Sequence, residues 1–289
     1  MGSARCRSSI MTPNASNHFT GFLGEFIGTF ILVFFGCGSI AVTVLFNAHT
    51  SLFQVAMIWG TGVALAIYAT RNISCAHLNP AVSLAMVAAG RMTPKKLPSY
   101  LTGQFAGALC GALLIYLLFS EAIGQYETLH NIVRGSRASV KTAMIFGEFY
   151  PNPGMQPLTQ VSTLTAFIAE TVGTLFLVFF IFSFTEGCNV GRPDDTLSPL
   201  FVGLAVGLII CILSPLTQAG LNPARDLSPR LFAWAAGWGR AAFPDPSHAC
   251  LTVYVAGPVT GGLVAALIFR KIIEPVMVKK NTASDCSCR

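Results

Sequence analysis

Long apolar runs separated by short polar stretches organise this chain. A helix needs roughly 20 mostly apolar residues to cross a bilayer. Six segments reach that length: about 20–45, 52–70, 97–119, 160–184, 197–216 and 250–273. Two shorter apolar segments remain, about 79–90 and 222–234. As helices they rise about 16–20 Å, roughly half of a ~30 Å hydrocarbon core. Each begins with the same tripeptide, Asn79-Pro80-Ala81 and Asn222-Pro223-Ala224. Asn is a favoured helix N-cap and Pro a favoured first helical residue. The pattern therefore predicts two re-entrant half-helices that start at membrane depth. Irregular backbone at that depth is tolerated only inside protein or against a water-filled cavity. A helix start carries unsatisfied N–H groups and partial positive charge. Two of them in matching halves suggest a lumen that holds polar molecules and repels cations.

The halves repeat. Glu25-Phe-Ile-Gly28-Thr-Phe-Ile-Leu-Val-Phe-Phe35 matches Glu170-Thr-Val-Gly173-Thr-Leu-Phe-Leu-Val-Phe-Phe180, an offset of 145. Ala106-Gly107 with Gly111 matches Ala256-Gly257 with Gly261 at 150, and the tripeptides match at 143. Such agreement points to one duplicated unit. With three full spans per unit, the second copy enters the membrane upside down, and the site lies between the halves near the midplane. The expected fold is an all-α membrane protein: six transmembrane helices and two re-entrant half-helices in an inverted 3+3 repeat around a central pore. Its expected parts are a tail at 1–18, a first repeat at 19–119, a loop at 120–158, a second repeat at 159–275 and a tail at 276–289. Gly107, Gly111, Gly257 and Gly261 are spaced to let helices approach closely.

Composition agrees. The 289 residues are 53% hydrophobic and 10% charged, against about 25% charged in soluble domains. The excess of 18 Lys+Arg over 12 Asp+Glu reports topology rather than nucleic-acid binding. Twelve of the basic residues, including Arg71, Arg91, Lys95, Lys96, Arg192, Arg270 and Lys271, fall on one side. Only Arg134, Arg137, Lys141, Arg225, Arg230 and Arg240 fall on the other. That places both termini in the cytoplasm of a multi-pass plasma-membrane protein and makes 120–158 extracellular. The sequons at Asn14 and Asn72 then lie on the wrong face for glycosylation. No apolar segment resembling a signal peptide precedes the first span. The nine Cys form no CxxC and are read as unpaired packing residues; Cys286 and Cys288 form a CxC in a tail expected to be disordered after about 278.

The chain resembles the major intrinsic protein family, the aquaporins and aquaglyceroporins, from about residue 19 to 273. The resemblance rests on Ser74-Cys-Ala-His77-Leu-Asn79-Pro-Ala-Val82, on Gly220-Leu-Asn222-Pro-Ala-Arg225-Asp226, and on the duplicated Glu25 and Glu170. Within the family it is most similar to the glycerol facilitators, through Asp226, His130–Ser136, Tyr150-Pro-Asn-Pro153 and Phe232-Ala-Trp234-Ala-Ala-Gly-Trp238-Gly. The resemblance implies a homotetramer in membrane lipid, one pore per subunit, no cofactor, no metal and no enzymatic step.

It also implies roles. Asn79 and Asn222 turn side-chain amides to the pore, Pro80 and Pro223 start the half-helices, and Ala81 and Ala224 let the two starts abut. Arg225, a charge at membrane depth, is a functional-site expectation in its own right. Family alignment adds Trp59, Ile210 and Ala219 to Arg225 as the constriction. Backbone carbonyls of Cys75, Ala76, His77, Gln218, Ala219 and Gly220 are expected to line the lumen. Glu25 and Glu170 are expected to accept hydrogen bonds from the re-entrant loops, with Asp226 structural. Glycerol facilitators usually place Gly at the Ile210 position and an aromatic at the Ala219 position. The set found here resembles the plant nodulin-type intrinsic proteins, which pass glycerol and neutral metalloid acids.

The expected function is a passive channel for glycerol, other small uncharged solutes such as urea, and water. A metalloid-acid pore and a water-selective pore are the alternatives within the class. Ile210 stands where a water-selective pore usually has His. A cation-coupled transporter would need more ionisable groups along its path than Glu25, Glu170 and Arg225. No nucleophile elbow, phosphate loop or metal spacing points to an enzyme.

Overall fold

A computed structural model of the chain describes residues 18–155, 160–244 and 249–282. Among them the principal elements are α1 (His18–Phe46), α2 (Leu52–Thr70), α3 (Pro80–Ala88), α4 (Leu97–Leu129), α5 (Thr163–Thr185), α6 (Ser198–Thr217), α7 (Pro223–Ala233) and α8 (Ala249–Lys279), with short helical turns between some of them. Six of these are long and apolar enough to cross a membrane; α3 and α7 are the half-length pair. Two boundaries differ from expectation. α4 continues ten residues past 119, because its polar last turns carry Glu127, a buried carboxylate that pairs with Arg134 at 2.9 Å and accepts from Thr142. Such turns lack the apolar signal but are held by that pairing. The chain after α8 stays helical to Thr282, where disorder was expected. Asn14, Cys6, Cys286 and Cys288 lie outside the described residues. Cys188 is disulfide-bonded, against the reading of every Cys as unpaired; it is folded inward in the α5–α6 loop, where spacing gave no sign of a partner.

The packing is two-fold in pattern. α1 packs on α4 and α2, and α5 packs on α8 and α6. Each half-helix crosses to the other half: α3 lies on α8, and α7 lies on α4. The spans α2 and α6 pair with each other across the pseudo-axis. Neither half can complete its own core, because its half-helix is seated by the other's last span.

Close approach sets these crossings. A Cβ on Gly107 would meet the Phe26 carbonyl oxygen at 2.2 Å, and one on Gly261 would meet that of Thr171 at 2.1 Å. Phe26 and Thr171 are repeat equivalents, at the offset of 145. Without a hydrophobic driving force between helices in lipid, such backbone proximity supplies the packing energy. Gly107→Leu is expected to pry α1 from α4 and to cost about 1–3 kcal/mol or more. A thermal melt of the purified protein in detergent, scored by size-exclusion, reads this; an unchanged melt would sink the argument.

Candidate functional site

The two half-helices start against each other. Asn79 Oδ1 accepts from Ala81 N at 2.8 Å, and Asn222 Oδ1 accepts from Ala224 N at 3.0 Å and Arg225 N at 3.2 Å. Pro80 and Pro223 occupy the first helical positions. The amide nitrogens then cross between halves. Asn79 Nδ2 donates to the Leu221 carbonyl at 2.8 Å, and Asn222 Nδ2 donates to the Leu78 carbonyl at 2.7 Å. Each Nδ2 has two protons. One is used in the crossing bond, and the amide is thereby held rigid where it borders the lumen. Ala81 and Ala224 are fully buried at this junction.

Two carboxylates hold the irregular segments that lead into the half-helices. Glu25 accepts from Ser74 Oγ, His77 N, Leu78 N and Gln104 Nε2 at 2.6–2.9 Å. Glu170 accepts from Thr217 Oγ1, Gly220 N and Leu221 N at 2.6–2.9 Å. The backbone is left-handed at Ala76 and Leu78 and at their equivalents Ala219 and Leu221 (φ 49–60°). A non-glycine residue there is strained, and the carboxylates supply the bonds that hold it. Gln218 adds a further left-handed residue at the end of α6.

Arg225 lies one turn into α7 and is buried. Its guanidinium carbon sits 4.3 Å from the centre of the Trp59 ring, a cation–π distance. Its Nη2 contacts the Glu148 carboxylate, and its Nη1 lies 3.4 Å from the Phe146 carbonyl. Burial pushes the Glu148 carboxyl up, to about 8, against the pull of Arg225. Asp226 holds this arrangement from behind. It accepts from Glu148 N at 2.7 Å and takes both Nε and Nη2 of Arg230. Arg230 donates in turn to the carbonyls of Ala242 and Glu148. The tip of the Trp59 ring rests where a Cβ of Gly36 would be, 2.1 Å from that position.

One cavity of about 430 Å³ joins these groups. It runs from Trp59, Ile210, Ala219 and Arg225 past Asn79 and Asn222 to Arg71, Thr185 and Asp195. Cys75, Ala76, His77, Gln218 and Gly220 border it as well. The lining therefore brings together every constriction and carbonyl position expected from the sequence, and places Glu25, Glu170 and Asp226 behind the wall. Glu148, Arg230, Gly36, Gln104 and Ser83 were missed. Glu148 stands in a Gly-Glu-Phe-Tyr loop with no spacing signal. Arg230 entered only the charge balance of the two faces, though its position four residues after Asp226 on α7 is an ion-pair spacing.

Two halves of opposite sense, with half-helices meeting at a lumen through a multi-pass membrane protein, define a channel architecture. The chain belongs to the major intrinsic protein family, whose model matches residues 14–269. The glycerol uptake facilitator protein of Escherichia coli K12 is 39% identical over 252 residues, 87% of each chain. The propanediol uptake facilitator PduF of Salmonella typhimurium is 38% identical over 250 residues, 86% of this chain and 92% of that one. The X-ray structure of the aquaglyceroporin from Plasmodium falciparum superposes with a TM-score of 0.77 at 26% identity, covering 90% of this chain and 99% of the other.

Proposed function

We propose that this protein is a passive channel for glycerol and similar small uncharged solutes, with water. The observation that carries the reading is the pair of crossed asparagines, each holding an amide rigid at the lumen. Facing helix starts raise the energy of a cation between them, while the amides offer donors to a hydroxyl or water oxygen. Trp59 gives one end of the lumen an apolar wall, Arg225 faces it with donors, and Ile210 and Ala219 complete the constriction. Carbonyls of Cys75, Ala76, His77, Gln218, Ala219 and Gly220 supply acceptors. A polyol, with a carbon face and a hydroxyl face, matches such a lining. The relatives named for glycerol and propanediol uptake agree with it.

Arg225 and Arg230 are buried, so neither acts as a loop charge. Removing them leaves twelve basic residues against four, which supports cytoplasmic termini in the plasma membrane. The residue blocks 19–119 and 159–275 serve as the two repeats, and the chain works as a homotetramer with one lumen per subunit.

Stopped-flow light scattering on proteoliposomes tests the reading. Fast shrinkage in sucrose and fast reswelling in glycerol are expected, both lost in Ala219→Trp, which fills the constriction. Fast shrinkage without reswelling would make this a water-selective pore. The small Ala219 beside Ile210 favours one variation, a pore that also admits arsenite or boric acid, read by uptake in the same vesicles. Cys75 is half-buried at the lumen, whereas the other described cysteines outside the disulfide, Cys37, Cys110, Cys211 and Cys250, do not border it. Mercuric chloride is expected to block most flux, and Cys75→Ser to be resistant; block that persists in the variant would place the reactive thiol elsewhere.

A further inference from the structure

His77 borders the lumen on the Arg71 side of the asparagines, its ring tilted against Tyr100 at 4.9 Å. A buried chain of side chains reaches it from behind. The chain begins at Glu25, whose oxygens take the N–H groups of His77 and Leu78 and the Ser74 hydroxyl, and which therefore acts as an acceptor toward Gln104 as well. Gln104 must turn its amide nitrogen, not its carbonyl, toward that carboxylate. The same nitrogen lies 2.9 Å from Ser83 Oγ and gives it the second proton. Ser83 is fully buried and accepts there, so its own hydroxyl proton needs an acceptor. Among the described residues the group that meets it is His77 Nδ1, at 3.1 Å. A proton on Nδ1 would leave the serine proton buried and unpaired, a costly arrangement. Nδ1 is thus bare and Nε2 carries the hydrogen. Nε2 has no partner among the described residues and is not among the sealed, unpartnered polar atoms. In a ring that borders the cavity, it opens to the lumen.

We infer that the chain Glu25–Gln104–Ser83 locks His77 in its Nε2–H form, and that this N–H is a solute-recognising donor that takes a hydroxyl oxygen just past the asparagines. The second half of this statement rests on the channel reading; the first does not. The arrangement places a donor beside the carbonyl acceptors of the same loop. It also makes the imidazole a poor proton relay, since passing a proton through the ring would require the whole buried chain to reverse. Ser83 and Gln104 are positioning residues that act through His77.

Magic-angle-spinning NMR of the full-length protein in lipid bilayers, with ¹⁵N-labelled histidine, reads the tautomer directly; His77→Gln identifies the His77 signals by their loss. At neutral pH, a protonated Nε2 and bare Nδ1 are expected. Ser83→Ala removes the hydroxyl and is expected to give a mixture of tautomers while glycerol entry falls. In the vesicle assay, His77→Phe keeps a ring without a donor and is expected to slow glycerol about three- to tenfold. His77→Gln, which restores an N–H, is expected to recover much of that loss. A protonated Nδ1, or a tautomer indifferent to Ser83→Ala, overturns the lock. Glycerol entry equal in His77→Phe and the parent overturns the donor. A parent that admits no glycerol while showing the expected tautomer overturns the channel reading instead.

Discussion

Gly36→Val is expected to cut glycerol entry by tenfold or more without unfolding the protein. The tip of the Trp59 ring occupies the space that any side chain at Gly36 would need: a Cβ there lies 2.1–2.3 Å from three ring carbons. Carbon atoms rest at about 3.5–4.0 Å, so the ring must retreat from α1. The free volume that borders it is the lumen, and Arg225 stands over its face at 4.3 Å. The displaced indole therefore narrows the passage between itself and the guanidinium. Water flux should fall less than glycerol flux, because water is thinner. The double variant Gly36→Val with Trp59→Ala separates blockage from misfolding. Flux restored in the double variant supports the mechanism; flux equally lost in both would show that α1 and α2 had simply failed to pack.

The second large effect falls on stability. Glu170→Ala is expected to destabilise the fold by roughly 3–5 kcal/mol, since it leaves the N–H groups of Gly220 and Leu221 and the Thr217 hydroxyl buried without an acceptor. Those groups lie in the left-handed stretch before α7, whose strain they help to support beside the Ala219 N–Thr217 Oγ1 and Asn79 Nδ2–Leu221 carbonyl bonds. The half-helix start would lose its position and Asn222 its crossing bond. Glu170→Gln keeps one acceptor oxygen and should lose less. Size-exclusion of detergent-solubilised protein after graded heating reads both. An alanine variant as heat-resistant as the parent would show that the loop is held by packing alone.

Much of this protein is legible in its sequence. The apolar runs marked six spans, because lipid demands about 20 apolar residues from any crossing helix. The Asn-Pro pairs marked two half-helices because capping and proline chemistry are local. The internal repeat supplied the opposite sense of the halves, and the family motifs supplied Trp59, Ile210, Ala219 and Arg225. The C-terminal part of α4 escaped, since its polar residues are satisfied by Arg134 and Thr142, which come from beyond the helix.

The sequence by itself determined the number of spans, the duplication, and which residue types meet at the lumen, since hydropathy, caps and repeats are properties of neighbours along the chain. Only the tertiary structure decided what each polar group faces. Glu148 meets Arg225 across 77 positions, Asn79 bonds Leu221 across 142, and Gln104 reaches Ser83 and Glu25 from another helix. Such partners are chosen by how the two halves interlock, and a buried group's chemistry depends on its partner in space, which no local pattern records.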